Sequence, residues 1–98
     1  MTADPFDTKR DTPADYSDAL YRVYFEVGEW QRTAFDALSA FLLERRQGHP
    51  AFHFDPASVQ AVDHGYELDL PMQLIPEVVR ALAERNVAVY QVVRRGWV

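Results

Sequence analysis

Residues 19–27 alternate between apolar and polar side chains, and this two-residue period predicts a β-strand with one buried face. The apolar side chains of that face belong to Tyr21, Val23, Phe25 and Val27. Gly28 ends the strand, and apolar side chains in residues 29–46 then recur at spacings of three and four, which predicts a helix. Two arginines in its last turn and Gly48 just beyond them match the usual end of a helix.

Residues 58–62 and 66–70 are predicted to pair as a β-hairpin, because Asp63, His64 and Gly65 form a turn signal between them. The second of these segments alternates clearly, with apolar side chains inward and acidic ones outward. We expect Gly65 to supply the positive φ angle of the turn, since glycine adopts that conformation without steric cost.

The remaining elements follow from smaller signals. Apolar positions change parity across Asp55 and Pro56, which predicts a β-bulge ahead of the hairpin. Residues 75–85 carry an apolar stripe at helical spacing, with Asn86 as a left-handed cap. The β-branched residues of 87–94 predict a last strand.

Strand, helix, two strands, helix and strand form the split βαβ pattern, and this order resembles the ferredoxin-like fold over about residues 19–94. The resemblance implies an α+β domain in which a four-stranded antiparallel sheet carries two helices on one face. It rests on element order alone, which proteins of many functions share, so no specific family follows.

Composition indicates one small globular domain, because 98 residues with 48% hydrophobic side chains can build a single core. Residues 1–18 contain five aspartates, two prolines and few large apolar groups, which predicts a flexible acidic N-terminal tail before a domain at residues 19–98. The alternative is that Phe6 and Tyr16 dock on the domain or on a partner.

The absence of cysteine excludes disulfides, thiolate metal sites and cysteine nucleophiles, and we expect a cytoplasmic protein. No apolar run resembles a secretory signal or a membrane span, so no membrane partner is expected. The net charge of -5 disfavours nucleic acid, which is bound largely through Lys and Arg on phosphates.

Candidate chemistry is sparse. His49 and His53 are four residues apart, but Pro50 favours a loop in which they need not converge, and we predict no metal site. Asp63 beside His64 could be a general base with its orienting carboxylate, yet the pair is better explained by turn formation. No catalytic residue and no cofactor are predicted.

Two further resemblances concern ligands. Residues 23–28 bear a likeness to the first-strand motif of RNA-recognition domains, but Glu67 and Asp69 put acids on the outer face where that family has aromatic and basic residues. Amino-acid-sensing domains of the ACT type are similar in layout, and Gly28 occupies the place of their loop glycine.

The implied fold puts residues 87–94 at a sheet edge, and either choice of face leaves this edge apolar, without the lysines, prolines or bulges that commonly blunt an edge. We therefore expect a non-enzymatic protein-interaction or regulatory domain that contacts a second copy or another protein. The expected interaction residues are Arg22, Tyr24, Glu26, Val89, Tyr90, Val92 and Trp97. The competing interpretation is that Trp97 or the N-terminal tail covers the edge.

A different class of function stays open. The domain could bind a small molecule as ACT-type domains do, or form a dimeric α+β barrel that acts as a cofactor-free enzyme. Arg22, Tyr24, Glu26 and Tyr90 would then line a cavity between two sheets. A sizeable pocket with a few convergent polar groups would favour this alternative.

Overall fold

The computed structural model describes residues 11–17, 19–28, 32–48 and 54–98. Its strands are β1 (Leu20–Val27), β2 (Gln60–Val62), β3 (Gly65–Pro71) and β4 (Val89–Trp97), and its helices are α1 (Thr33–Gly48) and α2 (Leu74–Glu84). The predicted β-α-β-β-α-β order is confirmed. The predicted beginning of the first helix at residues 29–31 and the histidines at 49 and 53 lie outside the described residues.

The strands form one antiparallel sheet in the order β2-β3-β1-β4, so β1 and β3 are central and β4 is an outer strand. This strand order and the two helices confirm an α+β domain of the ferredoxin-like type. The register places Tyr24 opposite Glu67 and Phe25 opposite Tyr66. Residues directly opposite each other in an antiparallel pair share a face, so the register decides which side chains meet.

One face of the sheet and both helices build the core. The apolar face of β1 is buried as its alternation predicts, and α1 and α2 cover it with leucine, alanine and valine side chains. The largest fully buried side chains are Tyr21, Val23, Phe25, Leu38, Leu42, Leu70, Val78 and Leu82. Arg45 Nη2 and Glu77 Oε2 are 3.2 Å apart and join the two helices at the surface.

The hairpin turn is tighter than expected. Val62 pairs with Gly65, so Asp63 and His64 are its two central residues, and both have positive φ, 41° and 65°. That is the combination of a type I′ turn, whose twist matches the flanking strands. The expectation that Gly65 supplies the positive φ is therefore wrong.

Gly65 is required for another reason. It lies in β3 against Phe25 and Glu26, and a Cβ atom at this position would stand 2.0 Å from the carbonyl oxygen of Phe25. No side chain fits at that distance.

The β-bulge predicted at Asp55 and Pro56 is also wrong. A 3₁₀ turn occupies Pro56–Ser58, and the Asp55 carboxylate accepts a hydrogen bond of 3.0 Å from the Ala57 amide. Phe54, two residues before this turn, lies in the core with 4% of its surface exposed. The cap predicted at Asn86 is confirmed by its φ of 60°.

Candidate functional site

The outer strand β4 is the first candidate surface, and its ladder with β1 is irregular at two places. Val27 pairs with Val89 and Glu26 with Gln91, which leaves Tyr90 as an extra residue. A second shift leaves Arg95 without a direct partner in the ladder. Bulges of this kind limit pairing at an edge, so the prediction that this strand lacks them is wrong at these two places. Between the two shifts, the segment from Gln91 to Arg94 is regular.

The apolar residues of β4 differ in exposure. Val89 is partly buried against the core, whereas the exposed fractions are 71% for Tyr90 and 37% for Val92. Val92 lies opposite Phe25 and so belongs to the core side of the sheet at its rim. The backbone of Trp97 pairs with Tyr21, and its side chain lies outside the described residues.

The outer face of the sheet holds the other expected residues but is polar and internally paired. Arg22 Nε lies 3.1 Å from Asp69 Oδ1, and Arg95 Nε lies 3.1 Å from Glu67 Oε2. The hydrogen bond from Arg22 to Asp69 raises the pKa of the guanidinium further. Arg22 thus pairs with a carboxylate of the neighbouring strand β3, and Arg95 reaches across β1 to another carboxylate of β3. These two pairs leave little positive charge on this face to attract an anionic ligand.

Tyr24 is buried on this face rather than exposed as an anchor, with 4% of its surface accessible. The Arg95 guanidinium lies over its ring, 4.7 Å from the centroid, and its hydroxyl donates to the carbonyl oxygen of Asp63. Burial raises the pKa of Tyr24, as do the nearby carboxylates of Glu26 and Asp63, while Arg95 lowers it. Glu26 is half-buried beside it.

Residues 11–17, named here the strap, contact the domain beside the first residues of β1. Asp15 is 5% exposed, and its carboxylate accepts hydrogen bonds from the Tyr21 hydroxyl and from the amide (2.8 Å) and hydroxyl (2.6 Å) of Ser17. The Asp11 amide donates to the Tyr21 hydroxyl at 2.8 Å. Tyr16 is 80% exposed, and Phe6 lies outside the described residues. The flexible tail over residues 1–18 stays a prediction.

Two side chains of the domain also bind the strap. The Gln73 amide donates to the carbonyl oxygens of Pro13 at 2.7 Å and of Asp15 at 2.8 Å. Arg94 donates from Nε to the Asp11 carboxylate at 2.9 Å and from Nη2 to the Asp11 carbonyl at 3.1 Å. Because these contacts are polar and join residues far apart in the sequence, hydrophobic periodicity carried no signal for them.

The ionisation of Tyr21 should make the stability of the domain depend on pH in the alkaline range. Its pKa is raised above the ordinary 10.0, first by burial and then by the hydrogen bond to Asp15. The unfolded chain therefore ionises first, so we expect stability to be complete below pH 10 and to fall as the pH rises through the folded-state pKa. Urea unfolding at about pH 8, 10 and 11 measures this.

In that series, Tyr21→Phe should lose less stability above about pH 10 than the parent protein. Tyr24, whose pKa is also raised, contributes to the slope that remains in this variant. Tyr90→Phe, at a side chain 71% exposed, is the matched control and should keep the parent slope. An equal slope in the parent protein and Tyr21→Phe would contradict the assignment.

Two clefts lie at opposite ends of the sheet. One of about 380 Å³ borders the hairpin turn at Asp63 and His64, both of which are exposed. The other, of about 270 Å³, lies between the strap and the beginning of α2. Within residues 11–17, 19–28, 32–48 and 54–98, no group of three or more His, Cys, Asp or Glu side chains is placed to hold a metal ion. No helix in the described part of the chain is both long and apolar enough to cross a membrane.

Comparison with known proteins finds no matching family model, no matching curated protein and no matching solved structure. The class of this chain is thus defined by its own fold, an α+β domain of ferredoxin-like topology.

Proposed function

We propose that this domain is a non-enzymatic protein-interaction module that acts through the β4 edge, defined as residues 89–93, and that its partner is a second copy of the chain. One observation carries the proposal: β4 is a nine-residue outer strand that exposes Tyr90 and Val92, while β1 is its neighbour in the described sheet. An outer strand with exposed apolar side chains is a template for adding another strand.

Because the outer face of the sheet is polar, the β4 edge is the better contact surface for a second copy. A dimeric α+β barrel needs an apolar wall between its two sheets, whereas this face carries the pairs Arg22 with Asp69 and Arg95 with Glu67. Burying those charges would cost more than pairing the edge strands. We also propose a cytoplasmic setting, which the cysteine-free sequence suits.

Symmetry and charge favour one register for the pairing. With a two-fold axis perpendicular to the sheet, the helix-covered faces of both copies lie on the same side of the joined sheet. Residues opposite each other across the axis therefore belong to the same face. An axis at Val92 places Val92 against its own copy and Gln91 against Val93 of the second copy. It also separates the two Arg94 side chains by four strand positions, about 14 Å, which exceeds the screening length of about 10 Å. An axis at Val93 would bring them to about 7 Å and is disfavoured by repulsion.

Val92→Lys is expected to weaken the dimer by on the order of a hundredfold, because it sets two ammonium groups against each other at the axis and removes an apolar contact. Light scattering after gel filtration at about 100 µM should give a dimer mass for the parent protein and a monomer mass for the variant. Ala83→Lys adds the same charge to an exposed position on α2 and should stay dimeric. A parent protein of monomer mass at this concentration would defeat the homodimer.

Cysteine cross-linking tests the register itself, and the cysteine-free chain is a clean background for it. Opposite side chains in an antiparallel pair have Cβ atoms about 5 Å apart, so Val92→Cys should form a disulfide with its own copy under mild oxidation. Ala83→Cys is the control and should remain uncrosslinked. Faster cross-linking at Val93→Cys than at Val92→Cys would show that the axis lies elsewhere on the strand.

A further inference from the structure

The cleft between the strap and α2 combines apolar walls with one guanidinium. Its volume is about 270 Å³, and it is lined by Pro13, Met72, Gln73, Ile75, Pro76 and Arg94. Met72 is buried beneath it, and Arg94 Nη1 lies 3.8 Å from the Met72 sulfur. A small apolar site with one or two placed polar groups is the usual composition of a ligand pocket.

The strap already presents a carboxylate to this guanidinium. Asp11 Oδ1 lies 2.9 Å from Arg94 Nε, and the side chains of both residues are partly solvent-exposed, 54% for Asp11 and 37% for Arg94. An exposed ion pair contributes little free energy, so an incoming carboxylate can replace the Asp11 carboxylate on Nε and the Asp11 carbonyl oxygen on Nη2 at small cost. The planar guanidinium suits a carboxylate better than other anions of similar size, because two parallel hydrogen bonds form.

We propose that this cleft binds a small carboxylic acid with an apolar chain, whose carboxylate takes the place of Asp11 on Arg94 while the chain lies against Met72, Ile75 and Pro76. The strap is then a built-in competitor of the ligand. Its Asp11 acts at the millimolar effective concentration typical of a short tether. The proposal concerns the helix side of the sheet and does not depend on pairing of the β4 edge.

Because Asp11 competes with the ligand and Arg94 binds it, neutralising these two residues should change ligand affinity in opposite directions. Asp11→Asn removes the competing charge and keeps a residue type that tolerates the φ of 58° at this position. It should therefore raise ligand affinity by about threefold or more, since the competent fraction of the protein rises. Arg94→Gln removes the recognition group and should lower affinity by about fivefold or more.

The experiment is a nuclear magnetic resonance titration of the full ¹⁵N-labelled chain with hexanoate as the probe, up to about 50 mM because a ligand of this size binds in the millimolar range. Hexanamide, which has the same chain without the charge, is the comparison probe. The amide signals of Gln73, Ile75 and Arg94 should shift with hexanoate and barely with hexanamide. Asp36→Asn and Arg80→Gln alter exposed charges elsewhere and should bind hexanoate as the parent does.

Three results would overturn the proposal. They are the absence of saturable shifts at these amides, equal affinity for hexanamide and hexanoate, or an Asp11→Asn affinity no higher than that of the parent chain. The Asp11→Asn result stands even if Arg94→Gln fails to fold, because each variant is compared with the parent by itself.

Discussion

Gly65→Ala is expected to lower the free energy of unfolding by about 3 to 5 kcal/mol, because the added methyl group would collide with the backbone of β1. The new Cβ would stand 2.0 Å from the carbonyl oxygen of Phe25 and 2.9 Å from its carbonyl carbon. Both atoms are backbone of the central strand, and the Phe25 side chain is fully buried. Relief would require moving β1 away from β3, which breaks ladder hydrogen bonds next to the core. Urea unfolding monitored by circular dichroism measures the change.

Gly28→Ala is the matched control for this substitution. A Cβ at that position would meet the Ala88 Cβ and the Tyr90 ring at 3.4 Å, which is ordinary van der Waals contact. Its effect should stay within about 1 kcal/mol. If Gly65→Ala unfolded at the same urea concentration as Gly28→Ala, the close approach of β3 to β1 would be disproved.

Tyr21→Phe is expected to cost about 2 to 3 kcal/mol of stability, the second largest effect. The hydroxyl donates to the buried Asp15 carboxylate and accepts from the Asp11 amide, so its removal leaves a buried charge short of one donor. The phenyl ring fills the same space, because Tyr21 is 1% exposed and its packing is otherwise unchanged. The loss therefore reports the hydrogen bonds and not a cavity. The measurement is urea unfolding at about pH 7.

A double-mutant cycle separates the strap contact from general effects. When Asp15→Asn is added to Tyr21→Phe, the combined loss should be smaller than the sum of the two single losses, because both remove the same hydrogen bond. Tyr90→Phe, at an exposed hydroxyl, should change stability by less than about 0.5 kcal/mol. Additive losses in the cycle would mean that Asp15 and Tyr21 do not interact in solution.

The order of elements could be predicted because each depends on a local period. The alternation of residues 19–27 and the apolar stripe of the second helix each predicted the correct element. The predicted ends of both elements fall within about two residues of the observed ones. The hairpin was found from its turn residues, yet the role given to Gly65 was wrong. Positive φ in Asp63 and His64 is set by the two-residue pairing of Val62 with Gly65, and that register is a property of two strands together.

The candidate site was harder to predict because its contacts join distant residues. Tyr24 was expected to be exposed on the sheet face, but it is covered by Arg95, which the shift in β4 directs over the ring. Nothing in the alternation of β1 indicates an arginine that lies 71 positions further along the chain. The exposed Tyr90 and Val92, in contrast, follow from the outer place of the last strand, which the element order implies.

By itself, the sequence determined which segments are strands and helices, their order and the resulting α+β class, because side-chain periods of two and of about 3.6 residues are read from neighbours on the same segment. The tertiary structure alone decided the shifts in β4, the burial of Tyr24 and the seating of the strap on Tyr21, Gln73 and Arg94. These features depend on strand register and on polar contacts between residues far apart in the chain. Such contacts stabilise the protein only when the whole sheet has formed.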